Sequence, residues 1–319
     1  MSLFTMLRRS STQEQGTGYQ SLMTLRRREA LVAYLFIAPT FIGFLVFIAG
    51  PMAYSLGLSL FEWNIFQPPQ FVGLENYQRL AEDTRVLTSL RNSLVFTLLV
   101  VTLDVVVALA LAVALQHRMP GLLRSFFRTA FILPVVTSVA AISVILRFML
   151  STNVGVINYY LVQLGLEKVA WLDSTQWALI SIALATVWKT FGFSLLLFSA
   201  GIQNIPSQFY EAAEIDGAGA WRKFTNITLP QLSPTILFVV VVGIISHLQV
   251  FDQARIMTGG GPGDATTTVV MVIWDNLSQV RYGYGSTIAA VFFALIMVLT
   301  VVQFWLSRRW VYYEGGGQD

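Results

Sequence analysis

Lys189 stands near the middle of an otherwise apolar run, Trp177–Ile202, with Thr186, Trp188, Thr190 and Phe193 around it. A basic residue at the centre of a membrane-crossing helix costs roughly 2.5–3.5 kcal/mol on the insertion scale, so the bundle must offset it. Thr186, Thr190 and Phe193 recur at helical spacing and share one side. A second apolar run, Leu232–Phe251, carries Ser246, His247 and Gln249 towards its end, with Asp252 and Gln253 just beyond. On one continuous helix Ser246, Gln249, Val250 and Gln253 share a face, with His247 turned about 100° from Ser246. Two such stripes suit a wet pathway for a polar solute. Rings can pack on the C–H faces of a sugar while hydroxyls and carboxylates bond its hydroxyl groups, although a polar lipid or a peptide fits the same residues. A purely structural arrangement fits them too: an interhelical hydrogen-bond network, or a Lys189–Asp252 ion pair. Asp104, inside an earlier apolar run, reads as meeting a partner helix or a buried hydroxyl.

Other chemistry is argued against by residue type and spacing. Gly259-Gly260-Gly261-Pro262-Gly263 lacks the lysine and the preceding strand of a phosphate-binding loop and reads as a rigid outer loop. No HExxH or GxSxG pattern occurs. Two histidines, His117 and His247, make a histidine-based metal site a poor reading. The absence of cysteine removes disulfides and thiol catalysis, and a net charge of +3 gives no case for nucleic acid. The chain is not read as an enzyme.

The elements that must position the polar stripes are membrane spans. Of 319 residues, 55% are hydrophobic and only 12% charged, about half the share of a soluble domain. A helix needs about 20 apolar residues to cross the hydrocarbon core. Six stretches qualify: Leu31–Gly50, continuing bent past Pro51 towards Leu60, then Ser93–Leu115, Phe126–Leu150, Trp177–Ile202, Leu232–Phe251 and Thr287–Leu306. With a cytoplasmic N-terminus, twelve of the 20 basic residues fall inside: Arg8, Arg9, Arg26, Arg27, Arg28, Arg118, Arg124, Arg128, Arg222, Lys223, Arg308 and Arg309. The positive-inside rule therefore places both termini in the cytoplasm. Residues 1–29 read as a polar tail, 30–310 as the membrane domain and 311–319 as a second tail. Outside, a surface helix is expected around Asn76–Ala81, and Gly155–Leu166 along the interface with Tyr159 and Tyr160 at headgroup level. Met257–Thr268 carries too much glycine for regular helix.

On the cytoplasmic side, Gln203–Pro230 reads as a helical elbow. Ser207 suits an N-cap for a helix to about Ile215, and Asp216-Gly217 suits its stop. A second short helix is expected from Ala220 to about Asn226, with Pro230 opening the next span. An ordinary solvated loop is the alternative.

Glu211-Ala212-Ala213, Gly217, and then Ile227, Leu229 and Pro230 match every fixed position of EAA-x3-G-x9-I-x-LP. The chain thereby resembles permease subunits of bacterial and archaeal ABC importers. Thr258–Pro262 with Thr266-Thr267-Thr268, and Phe71–Tyr77, look like the carbohydrate branch of maltose and glycerol-phosphate type. The resemblance implies an all-α, six-span type I importer permease in the cell inner membrane. It implies a homologous second permease subunit, two ATPase subunits that hold ATP and Mg, and an extracytoplasmic binding protein that delivers a sugar. Glu211, Ala212, Ala213, Gly217, Ile227, Leu229 and Pro230 then form the ATPase-coupling element. By similarity the sugar site includes Thr186, Lys189, Thr190, Phe193, Ser246, His247 and Val250, beside the polar candidates Trp188, Gln249 and Asp252. Lys189, His247 and Val250 depart from a neutral, amide-bearing pattern and leave an acidic or phosphorylated sugar open. A rival reading is a stand-alone ion-coupled transporter or channel, for which Asp104 and Asp252 are the evident coupling carboxylates.

Overall fold

The computed structural model describes residues 29–116 and 120–312, the Arg124 side chain excepted. Residues 1–28 and 313–319, most of the expected tails 1–29 and 311–319, lie outside the described residues, as do His117 and Arg118. The chain divides into two units at Gly57–Leu58. Helix α1 (Glu29–Leu58) occupies the first and carries a π-turn over Leu45–Ala49. At 30 residues it is long and apolar enough to cross the hydrocarbon core.

The second unit begins with a small antiparallel hairpin, β1 (Phe61–Glu62) and β2 (Gln70–Phe71), and helix α2 (Glu75–Glu82). Asn76, buried at the start of α2, donates to the carbonyls of Ser59 and Phe61, and Tyr77 Oη lies 2.7 Å from Ser59 Oγ. The Phe71–Tyr77 segment thus staples the hairpin. Then follow α3 (Thr84–Gln116), α4 (Gly121–Val136), α5 (Val139–Met149) and α6 (Val156–Gln163), and after them α7 (Ala178–Gln203). The elbow contributes α8 (Ser207–Ile215) and α9 (Ala220–Gln231). Beyond it run α10 (Ser233–Leu248), α11 (Asp252–Met257), α12 (Val269–Ser278) and α13 (Tyr282–Ser307).

Among the described residues four helices, α1, α3, α7 and α13, are long and apolar enough to cross a membrane, and six spans result if two bent pairs each count as one. One pair, α4 and α5, bends by 100°. The expected uninterrupted span Phe126–Leu150 is therefore broken: Pro134 sits in the last turn of α4 and Ser138 caps α5. The second pair, α9 and α10, bends by 63°.

The core forms where α3 meets α7. Ser89, Ser93, Phe96, Val100, Asp104, Ala108 and Ala112 recur every three or four residues along the buried face of α3. Small residues matter here because lipid tails are as apolar as leucine, so close backbone contact rather than hydrophobic exclusion holds the helices. Gly192 in α7 shows how close: a Cβ there would stand 2.1 Å from the Phe131 carbonyl oxygen of α4. Helix α7 is the central element, with 61% of its apolar window buried against 22% for α13.

At the end of the bundle opposite the elbow, the glycine-rich segment is irregular as expected. Asn92 donates to the carbonyls of Asp264 and Thr267, and Ser93 Oγ accepts from Val269 N–H. Asp275 in α12 bridges Arg85 of α3 (2.7 Å) and Arg255 of α11 (3.3 Å). The expected surface helices are present as α2 and α6, with Tyr159 and Tyr160 exposed.

Candidate functional site

Polar groups collect in a cavity and in the elbow. The cavity, about 270 Å³, is walled by Asp104 of α3 and Val135 of α4, by Lys189, Thr190, Phe193 and Ser194 of α7, and by Phe238, Val242, Ser246 and His247 of α10.

Asp104 is 4% exposed, and each of its carboxylate oxygens accepts one hydroxyl: Thr190 Oγ1 donates to Oδ1 at 3.0 Å, and Ser194 Oγ to Oδ2 at 2.5 Å. The two hydroxyls stand one helical turn apart on α7, so α3 can bury a carboxylate without stranding it. This is the buried-hydroxyl partnership expected of Asp104. Thr186 continues the stripe but turns elsewhere: it is buried and donates to Gln253 Oε1 at 2.7 Å, tying α7 to α11. Gln253 Nε2 is buried with no protein partner among the described residues.

Lys189 is 7% exposed. Its Nζ donates to the Val135 carbonyl at 3.4 Å, in the last turn of α4, where backbone carbonyls lack helical partners and the helix dipole is negative. The Lys189–Asp252 ion pair does not form: Asp252 is exposed in the first turn of α11, and no ion pair among the described residues includes Lys189.

The structure brings Lys189, Thr190, Phe193, Ser246 and His247 to the cavity. It does not bring Trp188, which is 44% exposed off the wall, nor Gln249, Val250 and Asp252. The reason is that α10 stops at Leu248, so the expected shared face from Ser246 to Gln253 is interrupted. Thr268 Oγ1 donates to the Val250 carbonyl at 2.9 Å, and the Val250 side chain is buried in the core. Ser194, Phe238 and Val242 were not singled out from the sequence. Ser194 lies four residues past Thr190 and extends the hydroxyl stripe, a signal available to sequence reading. Phe238 and Val242 precede Ser246 at the same spacing but look like lipid-facing residues in sequence.

The elbow is helical and largely solvent-facing. Helix α8 spans Ser207–Ile215 as expected, yet Pro206, not Ser207, occupies the N-cap position, and no side chain caps it. Its end is a Schellman turn: Ala218 N–H bonds the Ala213 carbonyl (2.8 Å), Gly217 N–H bonds the Glu214 carbonyl (3.0 Å), and Gly217 has φ +72°. The next helix does not stop near Asn226. A π-turn over Phe224–Thr228 carries it to Gln231, so Pro230 lies inside α9, and Pro234 opens α10 instead. Two side-chain links join the arms: Tyr210 Oη to Thr228 Oγ1 at 3.0 Å and Lys223 Nζ to Glu214 at 2.6 Å. Glu211, Ala212 and Gly217 face solvent, flanked by Ile215 at 88% and Trp221 at 75% exposure. Leu229 is also exposed, whereas Ala213, Ile227 and Pro230 are half-buried.

The family described as binding-protein-dependent transport system inner membrane component matches residues 104–312. The sulfoquinovosyl glycerol transport system permease protein SmoG of Agrobacterium fabrum is 36% identical over 88% of this chain and 91% of its own. The trehalose/maltose transport system permease protein MalF of Thermococcus litoralis is 35% identical over 89% of this chain and 96% of its own. Among solved structures, a chain of a bacterial alginate ABC transporter, in complex with an alginate pentasaccharide-bound periplasmic protein, aligns with a TM-score of 0.79 at 25% identity. That alignment covers 88% of this chain and 96% of the other.

Proposed function

This chain belongs to the family of binding-protein-dependent transport system inner membrane components, and we propose that it is the permease subunit of an ATP-driven importer for a sugar or sugar derivative. The relatives named for sulfoquinovosyl glycerol and trehalose/maltose, and the alginate neighbour, support a saccharide cargo. The periplasmic protein bound in that neighbour supports delivery by an extracytoplasmic binding protein. A homologous second permease subunit completes the path, and two ATPase subunits hold ATP and Mg and carry out hydrolysis. The chain is a multi-pass inner membrane protein, and its basic residues favour a cytoplasmic elbow and termini.

One observation carries this reading: the elbow is the covalent link between α7 and α10, the two helices that supply most of the cavity wall. An ATPase that grips the elbow therefore acts directly on the cavity. Ala212 and Gly217 let a partner surface approach closely, Glu211 offers a charge-assisted bond, and Ile215 and Trp221 supply exposed apolar area. Ile227, Leu229 and Pro230 lie in the arm that transmits the movement to α10. At the cavity, Phe193 and Phe238 offer ring faces, and Thr190, Ser194, Ser246, His247 and Asp104 offer hydrogen bonds to sugar hydroxyls.

The test is Gly217→Val in the assembled transporter. A β-branched residue resists φ +72°, so the turn must open. Uptake is expected to fall to background while the chain still inserts. Wild-type uptake by this variant would remove the elbow from the coupling path.

A further inference from the structure

Lys189 and Asp104 share the wall of one cavity without pairing. Each Asp104 oxygen already accepts a hydroxyl, whereas Lys189 Nζ makes one contact, 3.4 Å to the Val135 carbonyl. An ammonium has three donors. The cavity wall it shares mixes rings and aliphatic groups, Phe193, Phe238 and Val242, with the polar Asp104, Ser246 and His247, and among the described residues no carboxylate forms an ion pair with it. Had Lys189 served to neutralise Asp104, the two would stand within ion-pair distance, and they do not. A neutral hydroxyl can fill the spare donors but brings no counter-charge into contact with the ammonium.

We infer that the solute crossing this cavity is a saccharide bearing an anionic group, a carboxylate, sulfonate or phosphate ester, and that Lys189 Nζ is its counter-ion. The inference rests on the importer reading above. Phe193 and Phe238 then take the sugar ring, while Asp104, held by Thr190 and Ser194, stands outside ion-pair distance of the ammonium. Lys189 acts as a specificity residue, discriminating among cargoes that share a sugar ring.

The experiment uses the complete transporter with its binding protein in proteoliposomes. The probes are labelled glycosides carrying a uronate, a 6-sulfonate or a 6-phosphate, each beside its neutral counterpart. An anionic probe is expected to accumulate and its neutral counterpart to be excluded. Lys189→Met is expected to slow the anionic probe at least about tenfold, equivalent to about 1.4 kcal/mol, while Lys189→Arg stays within about threefold. Lys189→Gln provides a second neutral variant, and all three complexes should purify with every subunit present. Transport of a neutral saccharide, at an unchanged rate in Lys189→Met, overturns the inference and leaves the importer reading standing. Loss of the second permease subunit from both the Met and Gln variants assigns Lys189 to assembly and also overturns it. If no probe is carried and the binding protein fails to stimulate ATP hydrolysis, the importer reading itself falls.

Discussion

The cavity and the elbow satisfy their polar groups in opposite directions. In the cavity hydroxyls and a carboxylate from different helices turn inward on one another, as Asp104 does with Thr190 and Ser194 across the α3–α7 contact. In the elbow the internal links are few, Tyr210 to Thr228 and Lys223 to Glu214, and Glu211, Ala212, Ile215 and Trp221 are left facing outward. A region built to discriminate a small solute needs positions fixed by long-range packing. A region built to be gripped needs a stiff local shape and an unfilled surface. Damage to the packing should therefore affect folding and selectivity, and damage to the elbow should affect coupling while the fold persists.

The largest effect is expected where the packing is closest. Gly192→Ala places a Cβ against the Phe131 carbonyl and should destabilise the detergent-solubilised protein by about 3 kcal/mol or more, read as a fall in melting temperature. Gly121→Ala, which meets nothing within 4 Å, should leave the melting temperature unchanged. Next, Asp104→Ala takes the acceptor from the buried Ser194 hydroxyl and one of two from Thr190, which keeps the Thr186 carbonyl at 3.0 Å, and should cost about 1–3 kcal/mol in the same assay, with Asp104→Asn recovering part of it. An Ala variant as stable as wild type would mean that the carboxylate contributes nothing to the packing.

Elbow variants sharpen the contrast. Tyr210→Phe removes the link to Thr228 and should raise the ATP hydrolysed per solute transported by roughly three- to fivefold without shifting the melting temperature. Equal changes in both readouts would erase the distinction between the two regions. The smallest effect concerns Glu214, whose carboxyl is held below the usual carboxylate range by the hydrogen bond and charge of Lys223. A depressed carboxylate contributes above its unfolded pKa, and that contribution is lost as pH falls through the folded pKa. Coupling efficiency should thus weaken towards acid pH by less than about twofold, and Glu214→Gln should remove that part of the pH dependence.

The same contrast decides what was legible in sequence. The elbow motif is local: Gly217 announces a left-handed residue, and the stop of α8 at Ile215 follows from it. Even there, Pro206 displaced Ser207 from the cap, and the π-turn that carries the helix through Pro230 had no sequence signature. In the cavity, Lys189, Thr190, Phe193, Ser246 and His247 could be proposed from polarity within apolar runs. The end of α10 at Leu248 could not, because the apolar run continues to Phe251 and the Val250 carbonyl is taken up by Thr268, eighteen positions away. The break between α4 and α5 was written in Pro134 and Ser138, but the hydrophobicity of Phe126–Leu150 concealed it.

The bend between α9 and α10 gives the inner half of the molecule a crank. A straight helix pushed at its tip slides or tilts, and a twist about its axis has no handle. With 63° between the arms, α9 stands off the axis of α10 as a lever about 18 Å long, from twelve residues at 1.5 Å each. Moving its tip sideways by about 3 Å turns α10 by roughly 10°, on that same rise per residue. Such a turn would rotate Ser246 and His247 relative to Lys189, so that a small stroke at the elbow would change which groups line the cavity.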